Sequence, residues 1–270
     1  MTRPHSSRSW VFVVAALLLM ALPAGAQQTT EKPFEPQVGQ AGKDVVWVPT
    51  PQALVEKMLD MAKLTPQDFH MDLGSGDGRT VITAAKRGAR SLGIEYNPNM
   101  VALSQKNAAA AGVTARATFQ EADLFTVDLS KANVITMFLL PSINMKLRPK
   151  ILELRPGTRI VANTFSMEDW EADETQTISG DCSSWCTALL WIVPAKADGT
   201  WKVGQTQLVL KQNFQMLSGT LGSTMITGGR LRGSEITFTA GNATYTGQVE
   251  GNTIKGMIKG GPGGAFTATR

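Results

Sequence analysis

Histidine is almost absent from this 270-residue chain, which contains only His5 and His70. A Ser-His-Asp triad depends on a histidine base, and most zinc sites with histidine ligands use several of them. Since only His70 lies in the body of the sequence, both kinds of site are disfavoured and no metal site is predicted. His70 stands at the start of an apolar segment, where a structural role is expected.

Cysteine is equally scarce, because Cys182 and Cys186 are the only two in the chain. No further cysteine or histidine stands near them, so the pair is a weak metal-binding signal. A local disulfide is expected if the protein resides in an oxidising compartment. Two buried free thiols are the alternative, and the sequence leaves both open.

Long runs of basic residues are missing as well. The chain has 26 Lys and Arg against 22 Asp and Glu. Residues 1–26 carry two arginines and no acid, so the remainder has 24 basic against 22 acidic residues and a net charge of +2. Without a basic patch, nothing supports a nucleic-acid partner, and none is predicted.

The N-terminus has the layout of an export signal. Arg3 and Arg8 precede the apolar stretch 10–22, which is too short for a comfortable membrane span. Ala24-Gly25-Ala26 is typical of a cleavage site, and no cysteine follows it. We expect a cleavable signal peptide over residues 1–26, a periplasmic mature protein and no membrane span after cleavage. An uncleaved anchor is the alternative. Residues 27–44 are predicted to form a flexible leader.

Segments typical of strands and helices alternate from residue 45 to residue 204, which we interpret as one domain. Thr50 is the predicted N-cap of a first helix, with Pro51 at its first position. Strands joined by helices predict an α/β fold with a parallel sheet. The run 186–193 and a strand near 175–179 are expected to add an antiparallel hairpin at the sheet edge. The main strands are predicted at residues 69–73, 91–95, 117–120, 133–140 and 158–165.

Residues 205–270 have a different character, rich in glycine and threonine and poor in helix formers. Residues 229–236 and 247–254 share one pattern at an offset of eighteen. Gly233-Ser234 and Gly251-Asn252 suit two-residue hairpin turns. This part is predicted to be a small β-rich C-terminal domain, and it shows no catalytic constellation.

A glycine-rich turn follows the first predicted strand. Dinucleotide-binding folds favour G-x-G-x-x-G, which places a pyrophosphate on a helix N-terminus. Here the spacing is D-x-G-x-G-x-G, and an acid inside the turn is awkward for a phosphate but suits a cationic ligand. S-adenosyl-L-methionine carries a sulfonium and an ammonium and no phosphate. The predicted cofactor residues in the turn are Asp72, Gly74, Ser75, Gly76, Asp77 and Gly78.

Two further acids stand at the ends of the next two predicted strands. Ligands of open α/β sheets bind at the carboxyl ends of the strands, so these acids should meet the glycine turn. Glu95 can accept hydrogen bonds from ribose hydroxyls, and Asp123 can accept one from an adenine amino group. The glycine turn, Glu95 and Asp123 together predict three contacts along one S-adenosyl-L-methionine.

Several motifs in residues 45–201 resemble class I, seven-strand S-adenosylmethionine methyltransferases. Within that class the chain is similar to the protein-lysine methyltransferases of the ATP synthase c subunit and the adenine nucleotide translocase. The resemblance implies a Rossmann-like seven-strand sheet, a methionine-binding role for Asp72 and a lysine acceptor on a protein. The motifs are Val48-Pro49-Thr50-Pro51, the glycine turn, residues 93–98, Phe138-Leu139-Leu140-Pro141 and residues 155–159.

Methyl transfer requires alignment more than acid-base catalysis, since the donor is already activated. A lysine acceptor must lose its proton from a reference pKa of about 10.4, and a desolvated slot lowers that pKa. Trp47 and Thr50 are expected to close such a slot. Two rivals stay open: methylation of a small exported molecule, and a non-catalytic periplasmic binding protein. The predicted acceptor slot comprises Phe138, Leu140 and Pro141, together with Leu139.

Overall fold

A computed structural model describes residues 1–3, 34–180 and 182–270. The predicted signal peptide, apart from its first three residues, and residues 27–33 of the predicted leader lie outside the described residues. Within those described ranges, no helix combines the length and apolar character needed to cross a membrane.

A seven-stranded sheet forms the first part of the fold, with the strand order β3-β2-β1-β4-β5-β7-β6. The first five strands are parallel, and β7 pairs antiparallel with both β5 and β6. The predicted α/β sheet with an antiparallel edge hairpin is confirmed. The strands are β1 Phe69–Leu73, β2 Arg90–Glu95, β3 Ala117–Glu121, β4 Val134–Met137, β5 Arg159–Asn163, β6 Glu174–Thr177 and β7 Thr187–Ile192.

Within the described part of the chain, four helices accompany this sheet: α1 Gln52–Met61, α2 Arg79–Lys86, α3 Pro98–Ala110 and α4 Pro141–Leu152. Asn97 caps α3 as predicted, since its side chain accepts a hydrogen bond from the Asn99 amide at 2.9 Å. The predicted Thr50 cap of α1 is wrong. Pro51 is the N-cap residue there, and the buried Thr50 hydroxyl instead accepts a hydrogen bond from the Asn163 amide group at 3.3 Å.

Apolar side chains cover both faces of the sheet. Successive residues of a strand point to opposite faces, so Ile135 and Val134 enter different clusters. Ile135 packs with residues of α4, and Val134 packs with residues of α1. The sheet is therefore the middle layer of a three-layer arrangement, which leaves the carboxyl ends of its parallel strands for a ligand.

An eight-stranded closed barrel follows the sheet. The β-rich domain is predicted to begin at residue 205, but the barrel also includes β8, because β8 pairs with both β9 and β15. The two predicted hairpin turns are confirmed at Gly233-Ser234 and Gly251-Asn252. The strands are β8 Gly199–Val203, β9 Thr206–Asn213, β10 Met216–Leu221, β11 Thr224–Arg232, β12 Glu235–Ala240, β13 Ala243–Glu250, β14 Thr253–Lys259 and β15 Gly264–Thr269.

The barrel joins the sheet at the amino ends of β5 and β6. Arg230 of the barrel pairs with Asp173, just before β6, at 2.6 Å, and the Asp173 side chain is fully buried. The Gly233 carbonyl accepts a hydrogen bond from the Ala195 amide at 2.8 Å, and Phe214 stacks on Trp170 with ring centroids 5.7 Å apart. The barrel thus lies at the end of the sheet opposite to the carboxyl ends of the parallel strands.

Candidate active site

A cavity of about 1060 Å³, which includes space open to solvent, lies at the carboxyl ends of β1, β2 and β4. Its described lining residues all fall between Gln40 and Ile143, so the barrel contributes none of them. Seven of the eight predicted cofactor residues line it: Asp72, Gly74, Ser75, Gly76, Asp77, Glu95 and Asp123.

The eighth, Gly78, is the N-cap of α2 and supports the turn from behind. Its φ of 82° lies in the left-handed region, and a Cβ atom there would lie 2.8 Å from the Phe119 ring. Gly76 has a φ of 53°, and a Cβ atom on it would lie 2.6 Å from Nε1 of Trp47. The glycines therefore let the turn pack closely on both sides.

Two polar residues of α3 hold the carbonyl groups of the glycine turn. The Ser104 hydroxyl donates to the Gly76 carbonyl at 2.7 Å, and the Asn107 side chain donates to the Asp77 carbonyl at 2.9 Å. Sequence reasoning did not identify either residue. Ser104 and Asn107 are three residues apart and therefore lie on one face of α3, and this spacing is the sequence signal that could have identified them.

Asp72 lies at the bottom of the cavity and is only 6% exposed. Its Oδ1 accepts a hydrogen bond from the Thr136 hydroxyl at 2.6 Å. Burial, with a smaller contribution from the charges of Asp77 and Glu95, raises the pKa of Asp72 to about 7, although the hydrogen bond from Thr136 opposes the shift. A cation bound beside Asp72 would favour its ionised form.

His70 continues this hydrogen-bonded chain into the core. Its Nε2 lies 2.8 Å from the Thr136 hydroxyl and its Nδ1 lies 2.6 Å from the Ser91 hydroxyl. Because Thr136 donates to Asp72, it accepts from Nε2–H of His70, and Nδ1 accepts from Ser91. Complete burial lowers the pKa of His70 to about 3, so the ring is neutral. The predicted structural role of His70 is confirmed, and His70 also orients Thr136 toward Asp72.

Glu95 ties the end of β2 to the glycine turn. One carboxylate oxygen accepts a hydrogen bond from the Gly76 amide at 2.9 Å, and the other accepts one from the Asn97 amide at the same distance. Both oxygens belong to a half-buried side chain on the cavity wall. Glu95 therefore fixes the turn and presents negative charge to the cavity.

The other two acids of the site are paired with basic side chains. Asp77 binds Arg79 at 2.6 Å, and Arg79 also donates to the Thr50 carbonyl at 3.0 Å. The position of Asp77 inside the glycine turn predicts that it faces a cationic ligand. In the structure, however, the guanidinium of Arg79 already balances the charge of Asp77. Asp123 pairs with Lys43 at 2.6 Å, and this ammonium holds the pKa of Asp123 below its usual range.

Residues 37–47, which we call the N-terminal strap, contribute one wall of the cavity through residues 40–47. The Gly39 amide donates to the Trp47 carbonyl at 2.8 Å, and the Trp47 amide donates to the Gln40 carbonyl at 2.9 Å. Lys43 reaches Asp123 and also lies 4.9 Å from the centroid of the Tyr96 ring. Residues 37–44, assigned by sequence to the leader, therefore fold back onto the cavity, because these polar contacts anchor them.

The predicted acceptor slot is only partly placed at the cavity. Phe138 and Leu139 line it, as do Trp47 and Thr50. Leu140, which is 38% exposed, and Pro141 lie outside the lining, because α4 begins at Pro141 and turns the chain away at that point. Sequence reasoning missed the aromatic neighbours of Phe138, which come from distant parts of the chain.

The aromatic neighbours of Phe138 are Phe165 and Trp185. The Phe138 ring stacks on Phe165 with centroids 5.9 Å apart, and the Trp185 ring lies 6.2 Å from Phe138. Cys182 and Cys186 flank Trp185 and form a disulfide. Of the two alternatives left open by the sequence, the disulfide is therefore correct and the pair of free thiols is not.

Part of this chain is similar to known proteins. A family model described as the ANTKMT methyltransferase domain matches residues 72–174. A protein-lysine N-methyltransferase of Saccharolobus islandicus (strain REY15A) is 43% identical over 133 residues, which are 48% of this chain and 83% of that enzyme. The adenine nucleotide translocase lysine N-methyltransferase of Mus musculus is 32% identical over 163 residues, which are 60% of this chain and 65% of that enzyme.

A solved structure is similar as well. The crystal structure of an RNA methyltransferase from Salinibacter ruber in complex with S-adenosyl-L-homocysteine has 45% sequence identity and a TM-score of 0.52. The match covers 55% of this chain and 95% of that one. Its bound molecule is the demethylated form of the cofactor that the glycine turn and acids predict.

The fold and the acid-lined cavity define an S-adenosyl-L-methionine-dependent methyltransferase. The chain belongs to the ANTKMT methyltransferase domain family, together with protein-lysine N-methyltransferases. The donor set fits a cationic cofactor, since among the described residues Asp72 is a buried acid without a basic partner and Glu95 binds backbone amides. A Cβ atom on Gly76 or Gly78 would meet Trp47 or Phe119, so the turn keeps this shape only with glycines at these positions.

Proposed function

We propose that this protein is an exported methyltransferase that N-methylates a lysine side chain of a protein. The observation that carries the proposal is the continuity of the cavity. It runs from the acids Asp72 and Glu95 to the apolar residues Phe138 and Leu139 at the end of β4. One end suits the cationic cofactor, and the other suits the aliphatic side chain of a lysine. The lysine methyltransferases among its relatives support the same acceptor.

The cofactor end and the acceptor end of the cavity have separate roles. Asp72 would hold the cationic methionine part, Glu95 the ribose and Asp123 the adenine. The cofactor supplies an activated methyl group when it is bound. Phe138 and Leu139 exclude water from the acceptor amine, and this desolvation lowers its pKa so that the neutral nucleophile forms. The neutral amine would take the methyl group as the bond between that carbon and the cofactor sulfur breaks, and the methylated ammonium would then release a proton to solvent.

Export is supported by the disulfide and by the N-terminal sequence. Disulfides persist in oxidising compartments and are rare where thiols are kept reduced. The predicted signal peptide, residues 1–26, would direct the chain to such a compartment, the periplasm. The mature protein would then begin at Gln27 and carry the N-terminal strap, the catalytic sheet and the barrel.

The acceptor is tested by incubating the mature protein with methyl-labelled S-adenosyl-L-methionine and separate periplasmic and membrane extracts. We expect label on the Nε atom of a protein lysine, located by mass spectrometry. Label on a small molecule would support the rival acceptor class, and label on RNA would likewise contradict the proposal.

Calorimetry tests the cofactor side separately. Asp72→Ala and Glu95→Ala should each weaken S-adenosyl-L-methionine binding by about tenfold or more, since hydrogen bonds to charged groups contribute about 1.5–3 kcal/mol. Glu250→Ala is a matched control, because Glu250 is an exposed acid on the barrel. Full-strength binding in both site variants would show that the residues are assigned wrongly.

A further inference from the structure

Three aromatic rings from three different connections meet beside the cavity. Phe138 follows β4, Phe165 follows β5, and Trp185 lies between β6 and β7. Phe138 touches both of the others, with ring centroids 5.9 Å and 6.2 Å away. Phe138 also lines the cavity, so the cluster extends the acceptor end of the site toward solvent. We call these three residues the aromatic wall.

Trp185 is the exposed member of the wall. Its side chain is 43% exposed, while Phe138 and Phe165 are half-buried. Three other tryptophans, Trp170, Trp191 and Trp201, are almost fully buried. A large aromatic ring that is held at the surface beside a cavity is typical of a binding contact.

A disulfide fixes the backbone that carries Trp185. Cys182 and Cys186 close a five-residue ring around it, and the Ile178 amide donates to the Cys186 carbonyl at 2.9 Å. Trp185 has a φ of 54°, in the left-handed region that residues other than glycine seldom occupy. Such conformations persist where the surrounding structure enforces them, and they cluster at functional sites. Here the disulfide closes the chain around Trp185, whose indole lies against Phe138.

The chemistry of the wall suits an ammonium on an alkyl chain. Aromatic faces attract cations and also cover methylene groups, so they bind both parts of a lysine side chain. Among the residues that the structure describes, the basic side chains lining the cavity are those of Lys43 and Arg79, and both are ion-paired. A nucleic-acid strand requires basic groups that are available for its phosphates, so the cavity favours a lysine over RNA.

We propose that Trp185, held by the Cys182–Cys186 disulfide, is a binding residue for the acceptor lysine. This inference rests on the proposed lysine methylation. Trp185 contacts the incoming side chain directly, and the two cysteines act through Trp185 as positioning residues. Reduction of the disulfide should therefore weaken acceptor binding while it leaves cofactor binding intact.

Initial rates of label transfer into extract proteins test this role, measured over a series of extract concentrations. Trp185→Ala should raise the apparent KM for the acceptor by about tenfold, in line with a desolvated cation–aromatic contact, with a smaller change in kcat. Trp185→Phe should restore KM to within about threefold, because it keeps an aromatic face. Met225→Ala is the control, as it truncates a side chain that is 71% exposed on the barrel.

The double variant Cys182→Ser, Cys186→Ser and the reduced unmodified protein should both reproduce the higher KM. Calorimetry with S-adenosyl-L-methionine should give affinities within about twofold of the unmodified protein for every variant, which shows that folding is retained. If lysines are labelled and Trp185→Ala has an unchanged KM, this inference is wrong and the proposed function stands. If the unmodified protein binds cofactor and labels RNA or a small molecule instead of lysines, the proposed function itself fails.

Discussion

Replacement of Asp72 by asparagine should stabilise the protein and disable it. Burial raises the pKa of Asp72 from 3.8 to about 7. The folded state therefore holds a proton that the unfolded state has lost between these two pH values. The free energy of unfolding falls as the pH rises from about 4 to about 7 and stays lower above that range.

The size of this effect follows from the shift. A difference of about three pKa units corresponds to about 4 kcal/mol at pH 8, at roughly 1.4 kcal/mol per unit. The asparagine side chain would carry no charge, and its carbonyl could still accept the hydrogen bond from Thr136. Its NH₂ group would need a new partner, so we expect a net gain of about 1–3 kcal/mol at pH 8. For a protein of this size that raises Tm by about 3–10 °C.

Thermal unfolding of the unmodified protein and Asp72→Asn at pH 5 and pH 8, without cofactor, measures this gain. The gain should be present at pH 8 and small at pH 5, where Asp72 is protonated. Calorimetry at pH 8 should show cofactor affinity reduced by about tenfold or more, since a charge-assisted contact is lost. A variant that is less stable than the unmodified protein at pH 8, or that binds cofactor at full strength, would refute this account of Asp72.

Three further predictions concern the cavity and the barrel. Since a cationic cofactor favours ionised Asp72, the affinity of the protein for S-adenosyl-L-methionine, measured by calorimetry, should fall by up to about tenfold per pH unit below pH 7. Equal affinities at pH 6 and pH 8 would contradict this. Gly76→Ala should lower cofactor affinity by about tenfold and stability by about 1 kcal/mol, because the added Cβ meets Trp47 and the φ is positive. Arg230→Ala should lower the free energy of unfolding by about 2 kcal/mol in denaturant unfolding, because Asp173 then stays buried without its basic partner. The control Lys259→Ala, which truncates an exposed barrel residue, should change that free energy little.

Local signals made much of the fold predictable. The alternation of apolar runs with helix-forming segments located the five parallel strands, and the apolar run 186–193 with the strand expected near 175–179 located the edge hairpin. The glycine spacing located the turn after β1. Gly233-Ser234 and Gly251-Asn252 predicted two hairpins, because a two-residue turn depends mainly on the residues within it. The closure of the barrel was not predictable in the same way, since it depends on the pairing of β8 with β15, far apart in the chain.

The candidate site also combines residues that local sequence signals predict with residues that only the folded chain brings together. The spacing of Asp72, Gly76 and Glu95 indicates a cofactor site from the sequence, and all three line the cavity. Lys43 meets Asp123 and Trp185 meets Phe138 only in the folded chain. Nothing in the local sequence around Lys43 or Trp185 indicates these contacts, because they join segments that the fold brings together.

The central claim is that the acid-lined cavity transfers a methyl group to a protein lysine. The most direct measurement is mass spectrometry of extract proteins after incubation of the mature enzyme with methyl-labelled S-adenosyl-L-methionine. The account predicts label on lysine Nε atoms with the unmodified protein and with Glu250→Ala, and labelling reduced by about tenfold or more with Asp72→Ala at a cofactor concentration below the Kd of the unmodified protein. Label confined to RNA or small molecules, or equal lysine labelling by Asp72→Ala, would contradict it.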